Sequence, residues 1–249
     1  MPDAVLKGTV ALVTGAAGTM GLAAVRGLLA DGCKVAMVDI DRARNEALAW
    51  ELGPDAQAFS FDISDAETAH RGHARVAEAM GPVDILLNNA GVLSNNKAEA
   101  TEPAEWRRVL GANLDGAFFL AQCVLPAMKE RRFGRIINTW SLAAKTGGLT
   151  AGTAYSVSKG ALTSLTFSLA RELAPFGVTA NGISPAYVKT PMVTEQLDEA
   201  QRQKLLKDIP VGRFCEPEEF AHVVRFLVSP LAGFITGEIV DLNGGLLMD

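Results

Sequence analysis

Short apolar runs rich in valine, isoleucine and leucine recur at 9–13, 34–38, 57–60, 83–87, 135–139, 178–183 and 238–242, and amphipathic stretches fill most of the intervals. Runs of this length that are apolar at consecutive positions describe strands buried on both faces. The first interval carries Leu22, Val25, Leu28 and Leu29 at helical spacing, and similar spacing predicts helices over 103–131, 153–175 and 195–208. Strands and helices in strict alternation predict an α/β fold, a doubly wound parallel sheet of about seven strands with right-handed crossovers covering both faces. With no linker, repeat or low-complexity stretch, residues 1–249 read as a single domain.

In such a sheet, ligands bind outside the carboxyl ends of the strands. The chemistry-bearing residues fall there. Asp39 follows the second run, Asp62 the third, Asn88-Asn89-Ala90-Gly91 ends the fourth, Ser141 follows the fifth, and 185–190 follows the sixth. The first run leads into Thr14-Gly15-Ala16-Ala17-Gly18-Thr19-Met20-Gly21 and then a helix. Strand, glycine-rich turn and helix N-terminus aim backbone N–H groups at a pyrophosphate, which makes the fold Rossmann-like. Asp39 lies 18 residues beyond Gly21, where a carboxylate accepts hydrogen bonds from a ribose diol and repels a 2′-phosphate. Ile40 follows it, with no basic residue immediately after the acid. The expected cofactor is therefore NAD.

Composition removes other classes. The chain is 49% hydrophobic with a net charge of −5 and a mean hydropathy of +0.18, and it has no basic run to suit a nucleic acid. No apolar run is read as approaching the ~18–20 residues that span a membrane, and 1–7 lacks a cationic-then-apolar leader. The cytoplasm is the expected location. Cys33, Cys123 and Cys215 are odd in number and widely spaced, so free thiols are expected rather than disulfides or a zinc cluster. His70 and His73 sit on a polar, solvated helix, and no metal site is expected.

Tyr155 and Lys159 lie four residues apart on a predicted helix, hence on one face. A free phenol has a pKa of about 10, and a neighbouring cation favours the phenolate. Such a tyrosine suits proton transfer between alcohols and carbonyls, with the hydride supplied by a cofactor. Ser141 as a nucleophile is not expected, because His70, His73 and His222 all lie outside any motif that would activate it.

Taken in order, Asn88-Asn89-Ala90-Gly91, Asn113 within 111–116, Ser141, Tyr155-x-x-x-Lys159, the 185–191 segment, and Ile235-Thr236-Gly237 before Asn243-Gly244-Gly245 resemble the short-chain dehydrogenase/reductase family, in its compact type of about 250 residues. The likeness covers essentially the whole chain. It implies a catalytic set of Asn113, Ser141, Tyr155 and Lys159. Tyr155 would be general acid/base, Lys159 would lower its pKa and hold the nicotinamide ribose, Ser141 would orient the substrate oxygen, and Asn113 would hold a water linking Lys159 to solvent. It also implies a cofactor cleft of Gly15, Gly18, Thr19, Met20, Gly21, Asp39, Asp62, Ile63, Asn89, Ala90, Gly91, Tyr155, Lys159, Pro185, Val188 and Thr190, with Asn88 helping to shape it. Asp62 would meet the adenine and Thr190 the carboxamide.

Three residues depart from the family pattern. Thr19 stands at the second glycine of the fingerprint, where its hydroxyl could cap the helix or meet the phosphate. Ala186 replaces the glycine after Pro185, and Trp140 is bulky beside Ser141, where core packing on the opposite face is its expected role. The segments 92–98, 142–154 and 187–213 should form the substrate pocket, with 186–212 as a mobile lid, and Lys145 and Lys189 read as solvated cations. The expected activity is NAD(H)-dependent interconversion of a small-molecule secondary alcohol and a ketone. Two alternatives stand beside it: an NADPH-dependent 3-oxoacyl-thioester reductase and a non-catalytic nucleotide-sensing regulator. In the compact family, the helices around 103–131 and 153–175 and the C-terminal strand form subunit interfaces, so a homotetramer is expected.

Overall fold

The computed structural model describes residues 6–148, 150–190 and 199–248. The apolar runs form β1 (Val10–Thr14), β2 (Lys34–Val38), β3 (Ala56–Phe59), β4 (Ile85–Asn88), β5 (Gly134–Thr139), β6 (Val178–Pro185) and β7 (Ile239–Leu242). All pair in parallel, in the order β3-β2-β1-β4-β5-β6-β7. The helices are α1 (Thr19–Ala30), α2 (Arg42–Leu52), α3 (Ala66–Met80), α4 (Pro103–Leu110), α5 (Gly116–Arg131), α6 (Ala143–Thr146), α7 (Thr153–Leu173), α8 (Glu199–Asp208) and α9 (Pro217–Val228).

The strands lack polar alternation because both faces are covered. Ala11, Val13, Val35, Met37, Ile85 and Leu87 pack toward residues of α1 and α9 such as Leu28 and Phe220. Their neighbours Val10, Leu12, Ala36, Val38 and Leu86 pack toward α3, α5 and α7, against Val76, Leu120 and Leu173. The strand order reverses at β1, which lies between β2 and β4. That switch point opens a crevice at the carboxyl edge of the sheet.

β2 has the predicted limits, and those of the other strands differ from the predicted ones by at most two residues. The stretch predicted as one helix over 103–131 is α4 and α5 joined through a π turn, Gly111–Asp115. By length and composition this run, Pro103–Arg131, could cross a membrane, which corrects the sequence reading that no such run exists. Of its most apolar window 44% is buried within the fold, where α5 packs on α3, β4 and β5. The helix predicted over 195–208 is described only from Glu199. Part of the segment read as a lid, 191–198, lies outside the described residues.

Candidate active site

The glycine-rich turn is built by close approach. Gly15 has φ +64°, and a Cβ there would lie 2.9 Å from the Cα of Ala90. At Gly21 a Cβ would lie 2.1 Å from the Gly15 carbonyl oxygen, so no larger residue lets α1 start under the turn. Gly18 is the N-cap of α1 and brings no side-chain hydrogen bond. Thr19 is already inside the helix, which corrects the reading of it as a cap. The first-turn N–H groups of α1 point out of the helix with no capping side chain, the arrangement that receives an anionic phosphate.

Asp39 ends β2 beside this turn. One carboxylate oxygen accepts from Ala17 N at 3.0 Å and the other from Asp41 N at 3.0 Å. It therefore braces the turn while keeping further lone pairs for a ligand. Asp62 accepts from both the N–H and the hydroxyl of Ser64, at 2.8 and 2.7 Å. Ile63 follows it into the core, where a Cβ on Gly116 would come within 2.6 Å of its side chain.

Thr14 joins β1 to the end of β4: its hydroxyl oxygen accepts from Asn89 N and Ala90 N, both at 3.0 Å. Asn89 returns hydrogen bonds to the Thr14 and Gly15 carbonyls. A cavity of about 510 Å³ lies over this floor, bounded by Gly15, Gly18, Thr19, Asp39, Asp62, Ile63 and Ala90 among others. The glycine cradle, the open helix start and the acid at the end of β2 fit a dinucleotide. Gly21 lies beneath rather than on the cavity wall.

A second cavity of about 350 Å³ contains Ser141, Tyr155, Lys159, Pro185 and Val188, and Met20, Asn89, Gly91 and Thr190 bound both cavities. The two spaces thus meet at Gly91. A Cβ on that glycine would lie 3.2 Å from Asn113 Oδ1 and 3.4 Å from Lys159 Nζ. Lys159 is 3% exposed, and its ammonium donates to the Thr139 carbonyl at 2.7 Å. Burial pushes its pKa down to about 8. The Tyr155 phenol is pushed above its usual pKa by burial, opposed by a hydrogen bond with the Ser141 side chain.

Burial is the first influence on both groups. The lysine is held toward β5, with its nitrogen 5.8 Å from the centroid of the tyrosine ring, and loss of water penalises both charged forms. Burial thus favours the neutral phenol.

Asn113 sits in the π turn, a local unwinding frequent at functional sites. Its Oδ1 accepts from Val92 N at 2.7 Å, while its Nδ2 donates to the Val92 carbonyl at 3.1 Å and to Ser158 Oγ at 3.0 Å. The side chain thus positions neighbouring elements. Ser158 Oγ in turn donates to the Tyr155 carbonyl at 2.7 Å. Beneath, Asn88 Nδ2 donates to Asn138 Oδ1, and Asn138 Nδ2 donates to Thr166 Oγ1, both at 2.9 Å. Ser158, Asn138, Thr166, Thr14 and Thr139 were assigned no role from sequence. A signal existed for Thr166, which continues the helical stripe through Tyr155, Lys159 and Leu162.

Trp140 is 5% exposed and packs with Ala117 and Leu162, as expected, while also bounding the smaller cavity. Lys145 is not the solvated cation predicted: it pairs with Asp241 at 2.7 Å and lies 5.7 Å from the centroid of the Trp140 ring. Lys189 pairs with Glu216 at 3.1 Å.

Residues 15–247 match a family model described as enoyl-(acyl carrier protein) reductase. A solved short-chain dehydrogenase/reductase from Brucella melitensis, described as a glucose/ribitol dehydrogenase, superposes with a TM-score of 0.92 at 34% identity, over 99% of this chain and 100% of its own. The chain belongs to the short-chain dehydrogenase/reductase family. Among its relatives, the acetoacetyl-CoA reductase of Rhizobium meliloti (strain 1021) is 39% identical over 238 residues, 95% of this chain and 97% of that protein. The 3-ketoacyl-(acyl-carrier-protein) reductase of Brucella melitensis, solved in complex with NADH, has a TM-score of 0.91 at 34% identity, covering 98% of this chain and 100% of its own. The short-chain dehydrogenase/reductase assignment makes the protein an oxidoreductase.

Proposed function

We propose that the protein interconverts a ketone and a secondary alcohol with NAD(H), the ketone being the 3-oxo group of a small acyl thioester. The observation that carries this reading is the meeting of Ser141, Tyr155 and Lys159 where a dinucleotide-shaped cavity opens into a smaller one. Asp39 argues for NAD(H), since its carboxylate repels a 2′-phosphate. The Brucella 3-ketoacyl-(acyl-carrier-protein) reductase, solved in complex with NADH, supports the same choice.

The nicotinamide, when bound, supplies the hydride that reduces the carbonyl carbon. The chain supplies the proton and the positioning. Ser141 and Tyr155 hydroxyls hold the carbonyl oxygen, and the neutral phenol favoured by burial gives its proton to that oxygen as the alcohol forms. The phenolate left behind is stabilised by the Lys159 ammonium and regains a proton from solvent. In the oxidative direction the same phenolate takes the alcohol proton. Lys159 also lies beside Gly91, which bounds both cavities, and there its N–H groups suit ribose hydroxyls.

The test is a spectrophotometric assay of acetoacetyl-CoA with NADH and with NADPH, beside a panel of simple ketones, sugars and secondary alcohols. Higher kcat/KM with NADH on the thioester supports the proposal. Preference for NADPH refutes the role of Asp39, and turnover of simple ketones alone restores the sequence reading.

The assembly proposed is a homotetramer. Phe118, Val157 and Phe167 on α5 and α7 are 41%, 43% and 50% exposed, and Phe226 on α9 with Leu231 and Phe234 in the stretch between α9 and β7 are 52%, 96% and 103% exposed. Two such apolar faces on one chain suit closed symmetric assembly. A monomer by light scattering at micromolar concentration refutes it.

A further inference from the structure

Tyr187 follows β6 with φ +49°. This left-handed region is strained for a bulky side chain and easy for glycine. Among the described residues the other non-glycine with positive φ is Arg132, which ends α5 as its left-handed C-cap, an ordinary helix ending. Tyr187 ends no helix. Its backbone is held from both sides: Cys215 N donates to the Tyr187 carbonyl at 3.2 Å, Lys189 N donates to the Cys215 carbonyl at 2.8 Å, and Ala186 N donates to the Leu242 carbonyl at 3.0 Å. The fold thus fixes a conformation suited to glycine and places a tyrosine in it.

Tyr187 bounds the cavity that contains Ser141 and Tyr155. Burial and the nearby Asp208 carboxylate, at the end of α8, both hold its phenol neutral. Its ring meets the cavity as a wall, so that it can act by shape. We infer that Tyr187 is a specificity-determining residue, whose ring walls the substrate cavity and limits the length of the group attached to the reacting carbonyl. The inference rests on the carbonyl-reducing role proposed above. Strain retained at this position is what a functional constraint on the side chain produces, and a pocket wall discriminates by excluding extra methylenes.

The test compares wild type with Tyr187→Gly, Tyr187→Asn and Tyr187→Phe. Glycine and asparagine both tolerate the left-handed backbone, so the second covers failure of the first to fold. Thermal midpoints, NADH affinity by fluorescence titration, and kcat/KM are measured over 3-oxoacyl-CoA substrates and methyl ketones of increasing chain length. Tyr187→Gly and Tyr187→Asn should melt at or above the wild-type temperature and keep NADH affinity, while the long-to-short ratio of kcat/KM rises by about tenfold or more. Tyr187→Phe keeps the ring and should keep the wild-type ratio. A ratio unchanged in the small variants, or an equal loss on every chain length with a lower melting point, overturns the inference. Should wild type turn over ketones but no thioester, the thioester proposal fails while Tyr187 is judged on the ketone series. Turnover of neither series removes both.

Discussion

Lys159→Met tests the electrostatics of the site directly. Burial lowers the lysine from 10.5 to about 8, and at about 1.4 kcal/mol per pH unit that difference is about 3 kcal/mol of preference for the neutral amine in the folded chain. Between pH 8 and 10.5 the unfolded chain binds the proton that the folded chain has released, so this residue's contribution to stability rises with pH across that window. Below pH 8 the folded protein carries the whole cost of the buried charge. The methionine variant never carries it. The stability of Lys159→Met minus that of wild type should therefore be about 3 kcal/mol more favourable at pH 7 than at pH 10.5. The lost hydrogen bond to the Thr139 carbonyl shifts the whole difference by a roughly constant amount. Cys33, Cys123 and Cys215 are raised to about 11 by burial and lower stability as alkaline pH ionises the unfolded chain, but equally in both proteins. Urea unfolding of the two proteins across this pH range measures the difference, which corresponds to roughly 6–12 °C in Tm for a domain of this size. At pH 7, turnover should fall by at least about a hundredfold. A stability difference that does not change with pH would refute the buried, depressed lysine and the account of the site built on it.

Tyr155→Phe removes the proton donor and keeps the ring, so kcat should drop about 10²–10⁴-fold with unchanged melting temperature and NADH affinity; retention of more than about a tenth of the wild-type rate would make the tyrosine structural. Gly21→Ala places a methyl 2.1 Å from the Gly15 carbonyl oxygen, so NADH titration should show binding weakened by about tenfold or more, and a wild-type affinity would contradict the packing of the turn. Ser158→Ala leaves the Asn113 amide without one acceptor and the Tyr155 carbonyl without one donor. Loss of about 1–3 kcal/mol of stability is expected, together with a lower kcat and a shifted pH–rate profile; loss of stability with an unaltered profile would reduce the serine to a packing role.

The periodicity of the chain determined the architecture by itself, because strands covered on both faces must be apolar at consecutive positions and their helical connections must cross over with one hand. It also located the glycine-rich turn, Asp39, Ser141, Tyr155 and Lys159, since each depends on local geometry: a turn, a strand end or one turn of helix. What it could not determine was how these groups act on one another. Proximity of Tyr155 and Lys159 on one helix face implied a cation acting on a phenol, and only the tertiary structure adds that the ammonium donates to the Thr139 carbonyl and that burial of both groups opposes their charged forms. The π turn at Asn113, the Ser158 link, the Asp241 partner of Lys145 and the left-handed Tyr187 all arise from contacts between residues distant in sequence or from backbone held by them. Such contacts leave no period along the chain. They exist only once the sheet has brought its carboxyl edges together.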